Sequence, residues 1–133
     1  MTLATYIALP GTTAKAMTHW HEVFGGELEI LYYRDTPLED IGFDPDPGAV
    51  AHATLTLPQG VIAGGDSMDS ENDYPIRGTA YSLLYTTETP EEAEQFIEKL
   101  RPGGSIGMPF QKAPWGDWYG QVFDRFGVMW AFS

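Results

Sequence analysis

Three histidines and one aromatic–acidic stretch are the residues in this 133-residue sequence best suited to chemistry. His19 and His21 stand two apart in a segment with helical periodicity. Their side chains therefore point about 200° apart and cannot close on one ion. They read as surface or packing residues. His52 lies in Val50-Ala51-His52-Ala53-Thr54-Leu55, where small neighbours on both sides leave space beside the ring. An imidazole there suits a general base or a ligand anchor, and equally a half-buried strand histidine bonded to a neighbour. Trp115-Gly116-Asp117-Trp118-Tyr119-Gly120 concentrates aromatic surface on a loop with glycine hinges. Such a loop suits the mouth of a pocket, with tryptophan stacking on a ligand and Asp117 accepting its donors. The alternative is packing, with Asp117 fixing a turn. Asp124, before Arg125-Phe126-Gly127, reads as a turn residue.

Other chemistries lack their residues. With no cysteine there is no disulfide, thiolate zinc site or cysteine nucleophile. Asp66, Asp69, Glu71 and Asp73 lack the alternating spacing, central glycine and closing glutamate of a calcium loop, and read as a solvated linker. Glu39, Asp40, Asp44 and Asp46 lie among Pro37, Pro45 and Pro47, as an acidic loop. Gly103-Gly104-Ser105-Ile106-Gly107 follows a helix instead of opening one, and no lysine follows, so it is no phosphate loop. There is no Gly-x-Ser-x-Gly elbow, and no Ser-His-Asp set can be placed. The residues do not by themselves specify a reaction.

The elements that must hold these groups follow from periodicity. Residues 3–9 form an apolar, β-branched run closed by Pro10-Gly11, which predicts a strand. Thr12 or Thr13 then caps a helix with Ala16, Trp20, Val23 and Phe24 on one stripe, stopped by Gly25-Gly26. Alternation over 27–33 predicts a half-buried strand. Residues 50–57 predict another, and 61–63 a short one ending at Gly64-Gly65. The second half repeats this order, with helix starts about 77 residues apart near 12 and 89. Residues 79–85 predict a strand. Thr89-Pro90-Glu91-Glu92 is a capping box with proline at the first helical position. Ala93, Phe96, Ile97 and Leu100 give that helix one buried stripe, and Pro102-Gly103-Gly104 ends it. Short strands follow at 105–108, 118–123 and 128–132, with residues 124–127 as the last hairpin turn. The expected fold is α+β: two βαβββ modules, about 3–65 and 79–133 with a linker at 66–78. They would form one curved mixed sheet around a cavity, within a single domain spanning 1–133.

Composition narrows the partners. The apolar share is 43% with 14% aromatics, a globular composition. Nineteen acidic against seven basic side chains give a net charge of −12. From Asp35 to Asp73 there are nine carboxylates and no lysine or arginine. Such a chain is repelled by phosphate backbones and anionic lipid heads, so neither a nucleic-acid nor a membrane partner is expected. No apolar run reaches the ~20 residues needed to span a bilayer. The first residues lack a basic region before an apolar core, so a cytoplasmic, bacterial-type location is expected.

Three stretches resemble the glyoxalase/bleomycin-resistance/dioxygenase superfamily, also called vicinal oxygen chelate proteins, and its PhnB-like branch most. They are the helix 16–27 with its Phe24-Gly25 exit, the His52 strand, and Trp115–Gly120 followed by 124–130. The resemblance implies the duplicated fold, a homodimer and a small-molecule ligand. It also implies a divalent metal held from the first and fourth strands of each half. Carried over by spacing, those positions fall on Thr5, Ser82, Ala131 and a residue near Ala63 or Gly64. None is His, Glu or Asp, and methyl groups and hydroxyls are poor ligands for zinc or iron. The expectation is therefore a metal-free binder without a cofactor, its cavity lined by Thr5, His52, Ser82, Trp115, Asp117 and Trp118. His52 is the one catalytic candidate. Alternatives are a metal-dependent lyase, isomerase or dioxygenase with a non-standard ligand set, and a drug-sequestering resistance protein. A methyltransferase is not expected, since no Gly-rich cofactor loop opens a doubly wound sheet.

Overall fold

The computed structural model describes residues 3–35, 47–67, 78 and 80–133. Glu39, Asp40, Asp44, Asp46, Asp69, Glu71 and Asp73 lie outside the described residues. The chain divides into two units, Met1–Tyr74 and Pro75–Ser133. No helix among the described residues is long and apolar enough to cross a membrane.

The first unit runs β1 (Thr5–Leu9), α1 (Thr13–Phe24), β2 (Glu27–Tyr32), a 3-10 turn (Tyr33–Asp35), β3 (Val50–Leu57) and β4 (Gly60–Asp66). Its sheet has the order β1-β4-β3-β2. β1 runs parallel to β4, and the other pairs are antiparallel. Ala16, Met17, Trp20 and Val23 of α1 are buried. Trp20 alone, fully buried, is worth about 3–5 kcal/mol against alanine. β4 runs on through Gly64-Gly65, where the sequence pattern ends it. A side chain at Gly64 would strike the Ile7 carbonyl, and one at Gly65 would meet the Tyr6 hydroxyl. These glycines are strand residues selected by close approach, not by a turn.

The cap of α1 differs from its prediction. Neither threonine side chain caps the helix. Thr12 holds the N-cap position without a side-chain bond. Asp66 Oδ1 instead accepts from the Thr13 backbone N–H at 3.0 Å, and Asp66 Oδ2 accepts from Val50 N–H at 2.9 Å. Asp66 is thus no solvated linker residue. It ends β4, and its charge opposes the positive end of the α1 dipole. At the other end, Gly25 N–H bonds His21 O, and His21 Nε2 lies 3.1 Å from Gly26 O. His21 therefore serves the helix terminus, and His19 is half-buried on α1.

The second unit repeats the order: β5 (Leu83–Tyr85), α2 (Pro90–Leu100), β6 (Ser105–Lys112), β7 (Trp118–Phe123) and β8 (Met129–Phe132). Its sheet, β5-β8-β7-β6, copies the first in topology, with β5 parallel to β8. Hydrogen bonding thus builds two four-stranded mixed sheets from the two βαβββ modules. β5 is shorter than its predicted strand. β6 is longer: the pattern breaks at Pro109, but β6 is an edge strand, which tolerates a missing N–H. Its register with β7 shifts on both sides of Met108. The capping box forms as expected, with Thr89 Oγ1 accepting from Glu92 N–H at 3.2 Å.

Asp124 does fix the last turn, and its role extends beyond that. It is 2% exposed. Oδ1 accepts from Phe126 and Val128 N–H at 2.9 and 3.0 Å, and Oδ2 accepts from Trp130 Nε1–H at 3.0 Å. One carboxylate thus ties the hairpin turn to a buried indole. Asp124→Ala leaves three donors without this acceptor and should cost about 3 kcal/mol in urea unfolding. Asp66→Ala, at a helix terminus, should cost about 1 kcal/mol. An unchanged midpoint for Asp124→Ala contradicts this account.

Candidate functional site

Strand register decides which predicted residues share a surface. In the first unit, Ile62 pairs with Leu55, Gly64 with Ala53, and Thr5 with Ile62. A side chain at Gly64 would touch Met17 of α1, so this row faces the helix. Thr5 is therefore on the α1 side, at the exposed start of β1. Tyr6 pairs with Ala63, and Ala63 with Thr54. His52, two residues before Thr54, is on that opposite, open face together with its partner Leu31. The Tyr6 and His52 rings stack there at 5.9 Å and 26°. Thr5 and His52, expected to line one cavity, thus lie on opposite faces of their sheet. Among the described residues no hydrogen-bonded carboxylate orients the His52 ring, an arrangement a strong general base would use.

In the second unit, Phe132 and Tyr85 pack on Phe96 of α2, so their row faces that helix. Leu84, Ala131 and Gln121 alternate with that row and lie on the open face. Ser82 is exposed just before β5, two residues ahead of Leu84. Internal equivalence of the modules rests on backbone bonds: Ser67 N–H to Leu9 O, and Ser133 N–H to Tyr85 O. Leu9 matches Tyr85, so Ser82 matches Tyr6, one residue away from the match with Thr5 that spacing suggested.

These positions do not fit a divalent metal. Ala131 offers a methyl group and is 1% exposed. Thr5 and Ser82 offer hydroxyls, and Ala63 and Gly64 offer no side-chain donor. Among the described residues no group of three or more His, Asp or Glu is arranged to hold an ion. A structural or catalytic zinc needs three or four such donors.

The aromatic loop does build a concavity. A cleft of about 580 Å3 opens in the second unit at the start of α2. One wall is the segment Thr86–Pro90 with Ser133. The other is Phe110 with Trp115–Tyr119. Backbone bonds fix both walls. Thr87 N–H donates to Ser133 O at 2.9 Å, and Thr87 Oγ1 donates to Thr89 O at 2.9 Å. At the β6–β7 hairpin tip, Ala113 N–H donates to Asp117 O at 2.7 Å and Gly116 N–H to Ala113 O at 2.9 Å. Gly116 sits at φ 102°, a conformation that favours glycine. The tip holds Trp115 outward, 77% exposed. Trp118 stacks on Phe110 at 5.5 Å and 21°. Burial and then Glu92 push the Tyr85 hydroxyl above its ordinary range.

The structure thus brings Trp115, Asp117 and Trp118 together. Their partners Phe110, Glu88 and Thr86–Thr89 were not singled out from the sequence. Phe110 lay beyond the strand predicted at 105–108. Glu88 was legible only as a residue next to a helix cap.

A family model for the Glyoxalase/Bleomycin resistance protein/Dioxygenase superfamily matches residues 3–132. Protein YjdN of Escherichia coli K12 is 27% identical over 146 aligned positions, covering 98% of this chain and 92% of YjdN. The crystal structure of PA1353 from Pseudomonas aeruginosa superposes with a TM-score of 0.82 at 25% identity, covering 100% of this chain and 96% of that one. A Bacillus cereus PhnB protein, titled a putative 3-demethylubiquinone-9 3-methyltransferase, gives 0.76 at 28% identity, with 100% and 98% covered. With its duplicated βαβββ topology and a match along nearly its whole length, the chain belongs to the glyoxalase/bleomycin resistance protein/dioxygenase superfamily.

Proposed function

We propose that this chain is a metal-free, small-molecule-binding member of its superfamily, and that the cleft of the second unit is its binding site. The observation that carries this reading is the cleft itself. Three aromatic residues of the hairpin, Phe110, Trp115 and Trp118, line it together with Asp117. Its volume falls within the roughly 300–1,000 Å3 of small-molecule pockets, and its lining pairs an aromatic side with hydroxyl and carboxylate residues that can orient a ligand. The donor-poor positions Thr5, Ser82 and Ala131 support the absence of a resident metal. Protein purified without chelator should carry substoichiometric transition metal by plasma mass spectrometry, and added zinc should leave its melting temperature unchanged. Stoichiometric zinc, nickel, manganese or iron contradicts the metal-free reading.

The tryptophans report on the cleft directly. Trp20 and Trp130 are buried, whereas Trp115 projects at the mouth. Trp115→Phe should remove the larger share of the emission that acrylamide quenches readily, leaving the smaller share of Trp118, which is 36% exposed. Its stability should change by less than about 0.5 kcal/mol, as at an exposed site. An unchanged quenchable share places Trp115 elsewhere than at an open mouth.

The chain is further proposed to act as a homodimer. Supporting this, the open sheet faces expose Tyr6 and Leu31 beside His52 in one unit, and Leu84 and Met108 in the other. Apolar side chains on a sheet face favour a covering partner. Sedimentation velocity at micromolar concentration should give a dimer near 29 kDa, about twice the 14.7 kDa of one chain. A monomer overturns that part of the reading.

A further inference from the structure

We infer that the cleft selects an organic cation, such as a quaternary or alkylated ammonium group, in preference to neutral or anionic molecules of the same shape. This rests on the reading that the cleft binds a small molecule.

Two kinds of group converge there. Glu88 and Asp117 line the cleft, and among the described residues no lysine, arginine or histidine does. Among the described residues neither carboxylate enters an ion pair, the one such pair being Arg101–Glu98 at 3.1 Å. Lys112, beside Trp118 in the β6–β7 register, is not part of the lining. The hairpin side of the lining adds the rings of Phe110, Trp115 and Trp118, and the segment before α2 adds the neutral hydroxyl residues Thr86, Thr87 and Thr89. The negative faces of Trp115, Trp118 and Phe110 attract a cation within about 6 Å, and tryptophan does so best. A neutral ligand gains from the rings alone, whereas a cation gains from rings and carboxylates together.

An anion has one attraction to weigh against this, the positive end of α2. That end carries roughly half a unit charge. Pro90 has no N–H, and Thr89 Oγ1 already occupies Glu92 N–H. Glu91 and Glu92 in the first turn, with Glu88 just before it, set three carboxylates against half a charge. An anion therefore meets net repulsion. A bare divalent ion is excluded on other grounds. Calcium takes 6–8 oxygen ligands, and among the described residues no third acidic side chain joins Glu88 and Asp117 in a metal-holding group. A bulky, weakly hydrated organic cation needs no such shell and fits the available volume.

Three probes of nearly equal shape test this on the full chain by tryptophan fluorescence and calorimetry. They are choline, its neutral analogue 3,3-dimethylbutan-1-ol, and the anion 3,3-dimethylbutanoate. Choline should bind about tenfold or more tightly than the alcohol, and the anion should not bind. Choline affinity should fall several-fold between low salt and about 1 M salt, because exposed charges are screened over about 3 Å there. Glu88→Gln and Asp117→Asn should each weaken choline severalfold and leave the alcohol unchanged. Trp115→Ala should weaken both. Unchanged melting temperatures for these exposed substitutions separate lost binding from lost fold. Equal binding of choline and the alcohol overturns the cation inference while leaving the cleft as a small-molecule site. Tighter binding of the anion overturns it in the same way. If none of the three perturbs the tryptophans, the cation inference and the cleft reading fall together.

Discussion

The parallel ladder between the first and last strands of each module is the constraint on which the rest depends. β1 on β4 and β5 on β8 are the pairings that close each βαβββ unit. In the first unit this ladder brings Asp66 under the start of α1, where one carboxylate satisfies a helix N–H and the Val50 N–H. In the second it carries Ser133 to Tyr85 and Thr87, beside the start of α2. The cleft forms where that ladder ends. Parallel pairing also fixes the parity of every side chain on β1 and β5, because a one-residue slip would exchange the faces. Parity is what separates Thr5 from His52.

The two units use one topology for different chemistry. In the first, the open face carries a stacked Tyr6–His52 pair over glycine-rich β4, with no second histidine or carboxylate bonded to the ring among the described residues. In the second, the cleft lies on the helix side of the sheet, at the hairpin tip. Membership of the superfamily supplies the scaffold. The site has to be read from the side chains, since one fold serves many reactions. Here they are aromatic rings and carboxylates, and among the described residues no three acidic or histidine side chains group as metal ligands.

Much of this was legible in the sequence, for physical reasons that can be named. α1 ends at Gly25-Gly26 and α2 starts at Thr89-Pro90 because those residues leave the backbone few alternatives. β3 and β7 were legible from their patterns of apolar residues. Trp115, Asp117 and Trp118 could be singled out because large rings between glycine hinges suit a pocket mouth. The failures share a cause: each depends on a contact distant in sequence. Asp66 caps a helix that begins 53 residues earlier, so no local pattern reveals it. Gly64 and Gly65 looked like a strand end and are strand residues pressed against β1 and the Ala51 carbonyl. Thr5 and Ser82 seemed equivalent because the helix starts share one spacing, but the strands are offset from it by a residue. Glu88 gains meaning only when β8 and the hairpin tip arrive beside it.

The most direct test of the central claim uses the four tryptophans as internal reporters. In a proton–nitrogen correlation spectrum of the whole chain, each indole Nε1–H gives its own signal. Titration with choline should shift the signals of Trp115 and Trp118 and leave those of Trp20 and Trp130, both buried, in place. Shifts confined to Trp20 or Trp130, or centred on Tyr6 and His52 in the accompanying backbone signals, would contradict a binding site at the hairpin tip.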